Sequence, residues 1–242
     1  MKLKNLIAVS AIMLVLLSGC GKKENMIQEH YKNEINLFGT YNIEFDFYLE
    51  NVNYSKETAA LIKKLIYDNK SFKKYIKDAE DEFIGPVSSD DFPPLEDDDG
   101  NNYFYKSYLN ESFNILHHDK TFVVFENNKY YYHSGAAHGY YSINYKIIDI
   151  AQGKILDVGD LISPISDDYL AQLIEKEYGI NSFLRDNLWP PDTVNINAKN
   201  IELLWNTYTI TPYSAGVIGL ILQDEDHLTD KGKELKAKRA AY

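Results

Sequence analysis

The chain has one cysteine, Cys20, in 242 residues, so it can form no internal disulfide and has no second thiol to help bind a metal. Proline is scarce at seven residues and glycine ordinary at thirteen, which excludes collagen-like and low-complexity architectures. Basic residues are in deficit, 25 against 36 acidic ones, for a formal charge of −11. A surface of that sign repels phosphate backbones, so nucleic-acid binding is set aside. The longest apolar run covers about a dozen residues, short of the roughly 20 that a membrane-crossing helix needs. There is no Gly-x-Ser-x-Gly, His-Glu-x-x-His or His-x-His motif and no phosphate-binding glycine loop. No catalytic residue, metal site or cofactor is therefore assigned.

What is present is an ordinary globular composition, 45% apolar and 25% charged, with an unusual twenty tyrosines. Tyrosine in that number points to aromatic-rich strands, or to a surface where rings and hydroxyls meet a partner.

Lys2 and Lys4 precede the apolar run Leu6 to Leu17, which ends in Leu17-Ser18-Gly19-Cys20. A basic start, a short apolar core and small residues at the end have the form of a secretory signal. The terminal Leu-Ser-Gly-Cys resembles the lipobox of bacterial lipoproteins. That resemblance implies cleavage before Cys20, a diacylglycerol thioether on its sulfur and a fatty acyl (palmitate-type) chain on its amine. Two or three such chains hold a protein firmly on a membrane, at about 0.8 kcal/mol per buried CH₂. Removal of residues 1–19 takes away Lys2 and Lys4 and moves the formal charge to −13. The expected address is extracytoplasmic, lipid-anchored to a bacterial membrane, and the outer membrane or cell surface if there are two membranes.

Residues 20–34 are expected to be the lipidated Cys and its tether, 35–102 an α+β companion segment, and 103–242 the main α+β domain. Ile43, Phe45, Phe47 and Leu49 alternate along a strand over 41–50. Ser55 can cap a helix reaching about Asp68, and a second helix is expected over 72–83. Residues 85–102, with three prolines and the acidic run Glu96 to Asp99, read as a loop. An EF-hand register fails there, because Leu95 and Lys106 would have to be its first and last ligands. Strands are expected over 113–117, 121–126, 129–133 and 140–149, with His117-His118 at an exposed hairpin corner. Asp167 or Asp168 can cap a helix to Tyr178. Strands over 194–196, 201–208 and 217–222 follow, then a charged helix or frayed end. Trp189 and Trp205 are expected to be buried or half-buried. Helices grouped between runs of strands favour an α+β fold with a largely antiparallel sheet and helices packed on it.

Tyr132 to Tyr145 reads Tyr-His-Ser-Gly-Ala-Ala-His-Gly-Tyr-Tyr-Ser-Ile-Asn-Tyr. Asp149, Gly153-Lys154, Asp160-Leu161 and Pro212-Tyr213-x-x-Gly216 follow in order. This series resembles the extracytoplasmic domain of the anti-sigma factor RsiV, also found in the polysaccharide deacetylase PdaC and in many lipoproteins. Ala136 departs from the second glycine of the family's turn. The resemblance implies an α+β fold outside the membrane and, for RsiV-type members, binding of lysozyme. The candidate contact residues are Tyr132, Ser134, Gly135, His138, Gly139, Tyr140, Tyr141 and Tyr213. The partner would be a lysozyme-like protein or a peptidoglycan-type glycan.

His138 has two readings. It is a base, ligand or partner contact on a small-residue loop, or the small residues serve only a tight turn. His133 could approach it, but no third metal ligand stands at a fitting spacing. A cell-envelope hydrolase using His138 and a purely structural lipoprotein remain the alternatives to a binding module.

Overall fold

The computed structural model describes residues 27–36, 40–49, 55–85, 95–96, 102–103, 106–133, 136–179, 188–210 and 216–241. The expected lipidation site Cys20, the loop residues Ser134 and Gly135, and Tyr213 lie outside these. The chain forms two compact units, one of residues 1–113 and 129–140, the other of residues 114–128 and 141–242. The architecture is α+β with antiparallel sheets, as the grouping of helices and strands predicts.

In the first unit, β1 (Ile27–Asn36) and β2 (Thr40–Leu49) form an antiparallel hairpin, from Ile27 opposite Leu49 to Asn36 opposite Thr40. Sequence reading had missed β1, because its apolar residues fall only at Ile27, Tyr31 and Ile35, too sparse for a period of two. Helix α1 (Lys56–Ile66) starts where expected, with Ser55 Oγ accepting from the Thr58 N–H at 3.1 Å. Such a cap contributes about 1 kcal/mol. The helix buries Ile62 and Ile66 completely and stops at Asp68 and Asn69, both left-handed with φ of 51° and 63°. Helix α2 (Phe72–Ile84), capped by Ser71, buries Ile76, Glu80 and Phe83, a stripe at helical spacing. Lys74–Asp78 and Lys77–Asp81 ion pairs line its exposed side.

Within the expected loop, two-residue strands β3 (Leu95–Glu96) and β4 (Asn102–Tyr103) pair with each other. Strand β5 (Lys106–His118) and strand β6 (Phe122–Tyr132) each contribute residues to both units, and in the first the strand order is β1-β2-β5-β6. Ser107, Leu109, Glu111 and Phe113 are buried while Asn110 is exposed, so β5 alternates strictly. Ile76, Phe83 and Leu109 form the core, ringed by Tyr31, Phe72, Tyr75 and Tyr131. Two buried carboxylates sit in it as acceptors: Glu80 from Tyr31 at 2.5 Å and Asn33 at 3.0 Å, Glu111 from Tyr75 at 2.9 Å.

In the second unit the order is β5-β6-β7-β8, with β7 (Tyr140–Asp149) and β8 (Lys154–Leu156), beside a three-stranded sheet. That second sheet runs β11-β10-β9, from β9 (Thr193–Ile196), β10 (Ile201–Trp205) and β11 (Ile218–Leu222). Phe122 to Phe125 are all fully buried, so this part of β6 is covered on both faces. Alternate backbone groups of β7 bond to side chains. Thr207 Oγ1 donates to the Tyr141 carbonyl, Asn206 Oδ1 accepts from Ile143 N–H, and Thr193 Oγ1 accepts from Tyr145 N–H, at 2.8–3.0 Å.

Helices α3 (Val158–Leu161), α4 (Asp167–Tyr178) and α5 (Asp230–Ala240) complete the unit. Ser166 caps α4, not Asp167 or Asp168, which occupy its first turn instead. The charged tail is a true helix, fixed by buried Gly232 and Leu235.

Three other expectations are corrected. Residues 121–126 and 129–133 belong largely to one continuous strand, β6, in which Asn127 is buried and the Asn128 side chain donates to Glu126 two residues back and accepts from Tyr141 of β7. His117 is buried, since it falls on the inward register of β5, and its Nε2 lies 3.6 Å from Asp119. Trp189 is 66% exposed, its contribution being a carbonyl that accepts from Nε1 of fully buried Trp205 at 2.7 Å.

Candidate functional site

The motif residues separate into two groups with different work. The first is the turn after β7. Asp149 is fully buried, and its carboxylate accepts from Gln152 N–H at 3.0 Å and meets the Lys231 ammonium of α5 at 3.0 Å. Burial alone would raise its pKa, but the backbone N–H groups and Lys231 outweigh it and hold the carboxyl below the usual carboxylate range. Gly153 takes φ of +65°, the left-handed region that favours glycine, while donating to the Asp149 carbonyl. Lys154 donates to both carboxylate oxygens of Asp160 at 2.9 and 3.0 Å. Asp160 in turn accepts from the Asp157 N–H, the capping box of α3. The Asp160 carbonyl takes the Thr229 hydroxyl at 2.6 Å. These residues tie β7, β8, α3 and α5 together, and every contact they make is spent inside the fold.

The second group lies around the loop after β6, in the first unit. Side chains alternate across β6. Tyr131 and His133 face α2. The His133 ring stacks on Phe83 at 4.7 Å and meets Tyr131 edge-on at 5.9 Å, and Tyr131 stacks on Tyr140 at 4.8 Å. The opposite face carries Tyr130 and Tyr132, both half-buried, with Tyr132 6.5 Å from Tyr108. Of the three consecutive tyrosines of β6, Tyr131 therefore faces the α2 core and Tyr130 and Tyr132 the other side.

His138 is exposed, with Nδ1 3.4 Å from the Gly139 carbonyl. Gly139 leaves room for Tyr130 rather than serving a left-handed backbone: a Cβ there would fall 2.5 Å from that ring and hydroxyl, so the tyrosine would have to shift. Of the residues expected to make contact, Gly139 lies against Tyr130 next to exposed His138, Tyr132 lies on the same face as Tyr130 beside Tyr108, and Tyr140 lies with Tyr131 on the α2 side. Tyr140 is partly taken up by its stack on Tyr131. Tyr141 belongs to the second unit, 40% exposed, with its hydroxyl donating to Asn128 at 3.0 Å.

Tyr108 and Phe83 were missed from the sequence. Only the β5–β6 pairing and the placement of α2 bring them beside the loop, although the alternation within β5 already put Tyr108 on the outward face. Among the described residues, no three His, Cys, Asp or Glu side chains stand close enough to hold a metal ion.

His133 keeps an exposed edge, but partial desolvation where its ring stacks on Phe83 and meets Tyr131 lowers its pKa from the ordinary value of 6.5. In an NMR titration the His133 ring should therefore titrate below that value, and Phe83→Ala should move it back up. Protonation opposes the fold here: the stability from neutral His133 is complete above the ordinary pKa and is lost as pH falls through the depressed one. An unshifted His133 in the parent chain would show that the stack does not form.

The architecture is that of an α+β protein with two antiparallel sheets, and it carries an aromatic strand face beside a histidine loop. Neither any protein-family model nor any curated protein matches the sequence. Solved structures do match in fold. A DUF3298 family member from Bacteroides fragilis superposes with a TM-score of 0.61 at 14% identity, over 90% of this chain and 98% of that one. A DUF3298 family protein from Pseudomonas aeruginosa gives 0.50 at 15% identity, over 88% and 98%. This chain has the fold of those proteins.

Proposed function

We propose that the chain is a lipid-anchored binding module on the outside of a bacterial membrane, which captures a lysozyme-like protein through the outward face of β6 and the adjoining loop. The observation that carries the reading is the cluster Tyr108, Tyr130 and Tyr132 on the strand face away from α2, with exposed His138 beside it. Aromatic rings held rigid by a sheet lose little freedom on binding and are over-represented among the residues that dominate binding energy. The Leu-Ser-Gly-Cys20 motif supports the address, and the RsiV-like order of motifs supports the partner class. A formal charge of −13 on the processed chain would speed encounter with a strongly basic protein, though charge alone gives no specificity.

The test is calorimetric titration of residues 21–242 with a c-type lysozyme, at low salt and at about 0.3 M, where exposed charges are screened beyond a few ångströms. Cytochrome c serves as the basic control. Saturable 1:1 binding that survives salt, is absent with the control, and weakens about tenfold or more in Tyr132→Ala and His138→Ala is expected. Binding that salt abolishes, or that cytochrome c shares, would be charge attraction only. Lysozyme recognition would then give way to a search among wall glycans.

A further inference from the structure

The second unit contains an open cavity of about 460 Å³, formed by the end of β5, the turn between β9 and β10, and the last turn of α5. Ile115, Leu116, His117, His118, Lys199 and Arg239 lie on its walls, and no Asp or Glu does so among the described residues. In a chain with eleven more acidic than basic groups, a concavity lined by two cations and two imidazoles runs against the overall charge.

Among the described residues, neither cation is matched by a carboxylate. Arg239 donates through Nη1 to Asn195 Oδ1 at 2.8 Å and to the Ile196 carbonyl at 2.7 Å, both neutral acceptors. A half-buried guanidinium is ordinarily paired with a carboxylate. Burial pushes the Arg239 pKa down from its ordinary value, and the nearby Tyr145 hydroxyl offsets this only in part. The Lys199 backbone N–H is used, donating to Asn197 Oδ1 at 2.9 Å to set the turn. Its ammonium has no ion pair among the described residues. The Asp119 carboxylate accepts the backbone N–H groups of Thr121 and Phe122 through Oδ1, at 2.6 and 2.7 Å, while its Oδ2 lies 3.6 Å from His117 Nε2 and so faces an imidazole rather than Arg239 or Lys199.

We infer that this cavity binds a small molecule bearing an oxyanion, carboxylate or phosphate, held between Arg239 and Lys199 with an apolar body against Ile115 and Leu116. A planar guanidinium with donors not spent on the fold suits either headgroup, and the volume lies in the range of small-molecule sites. The inference uses none of the residues assigned to the partner surface and stands or falls independently of it.

The test follows the ring signals of His117 and His118 by NMR in the full chain, kept in detergent, at fixed ionic strength. Inorganic phosphate, acetate and phenyl phosphate are the three probes. Saturable shifts with phosphate or acetate, with the His138 ring unmoved, are expected, and the tighter of the two identifies the headgroup. Phenyl phosphate should bind more tightly than phosphate, and equal affinity would remove the apolar body from the inference. Losing one charge-assisted contact in Lys199→Gln should weaken binding about fivefold or more. Arg239→Gln should do the same, but it also loosens α5 from β9, so Lys199→Gln is the deciding variant. Shifts that never saturate, or an affinity unchanged in Lys199→Gln, would overturn the site.

Discussion

Asp149→Asn is expected to lower the midpoint of thermal unfolding by about 6–12 °C at neutral pH. Removing one member of a buried charge pair costs about 3 kcal/mol, and each kcal/mol moves the midpoint by about 2–4 °C in a chain of this size. The amide can still accept from Gln152 N–H, but it leaves Lys231 with Glu234 as its only remaining carboxylate among the described residues. The pH dependence separates this charge effect from simple loss of packing. The Asp149 carboxyl is held below its ordinary value of 3.8, so its stabilisation is complete above that value and is lost as pH falls through the depressed one. Parent and variant should therefore converge on acidification. Calorimetric melts between neutral pH and about pH 2.5 would show it, and equal midpoints at pH 7 would mean that the pair does not stabilise the fold.

Gly232→Ala sets two effects of known size against each other. In a helix interior alanine is favoured over glycine by about 1 kcal/mol. Here, however, the added Cβ would lie 2.3 Å from the Leu161 carbonyl oxygen and 3.1 Å from Leu228 Cδ2. The carbonyl is backbone, and it also accepts the Thr229 N–H at 3.0 Å, so it cannot turn aside as a side chain would. Moving α5 outward would pull Leu235 from the core and lengthen the Lys231–Asp149 contact. Overpacking of this kind costs about 1–3 kcal/mol or more, and because the clash is with backbone the upper end applies, so a net loss of up to about 2 kcal/mol is expected. Urea unfolding would read it as a lower midpoint, and a higher one would mean that α5 does not pack on α3 as described.

Much of the fold was legible because local signals agreed with each other. Ser55 stood directly before an apolar stripe, Tyr140 to Asp149 carried strand formers throughout, and Gly153 followed Asp149 at turn spacing. The failures came where a polar residue finds its partner far along the chain. Asn127 and Asn128 look like turn formers, and only cross-strand neighbours let them continue β6. Glu80 and Glu111 look like surface residues until Tyr31 and Tyr75 are seen above them. His117 looks like a hairpin corner until the inward register of β5 is known. The aromatic loop was legible as a cluster, but not its division into a face stacked on α2 and a face turned away. The basic cavity was not legible at all, because Lys199 and Arg239 are brought beside β5 only by the folded unit.

The pairing of Asp149 with Lys231 has a consequence for the order of events during synthesis. Strands β6 and β7, helix α3 and the first halves of every contact at the Asp149 turn are made well before α5. Until α5 arrives, the inner side of Leu161 is uncovered and the turn carboxylate has no ammonium partner. A growing chain therefore holds most of the second unit's apolar residues before it holds the piece that closes over them. Folding of that unit is a late step, and a chain stopped ahead of Lys231 would present its unfinished core to proteases and to other unfinished chains.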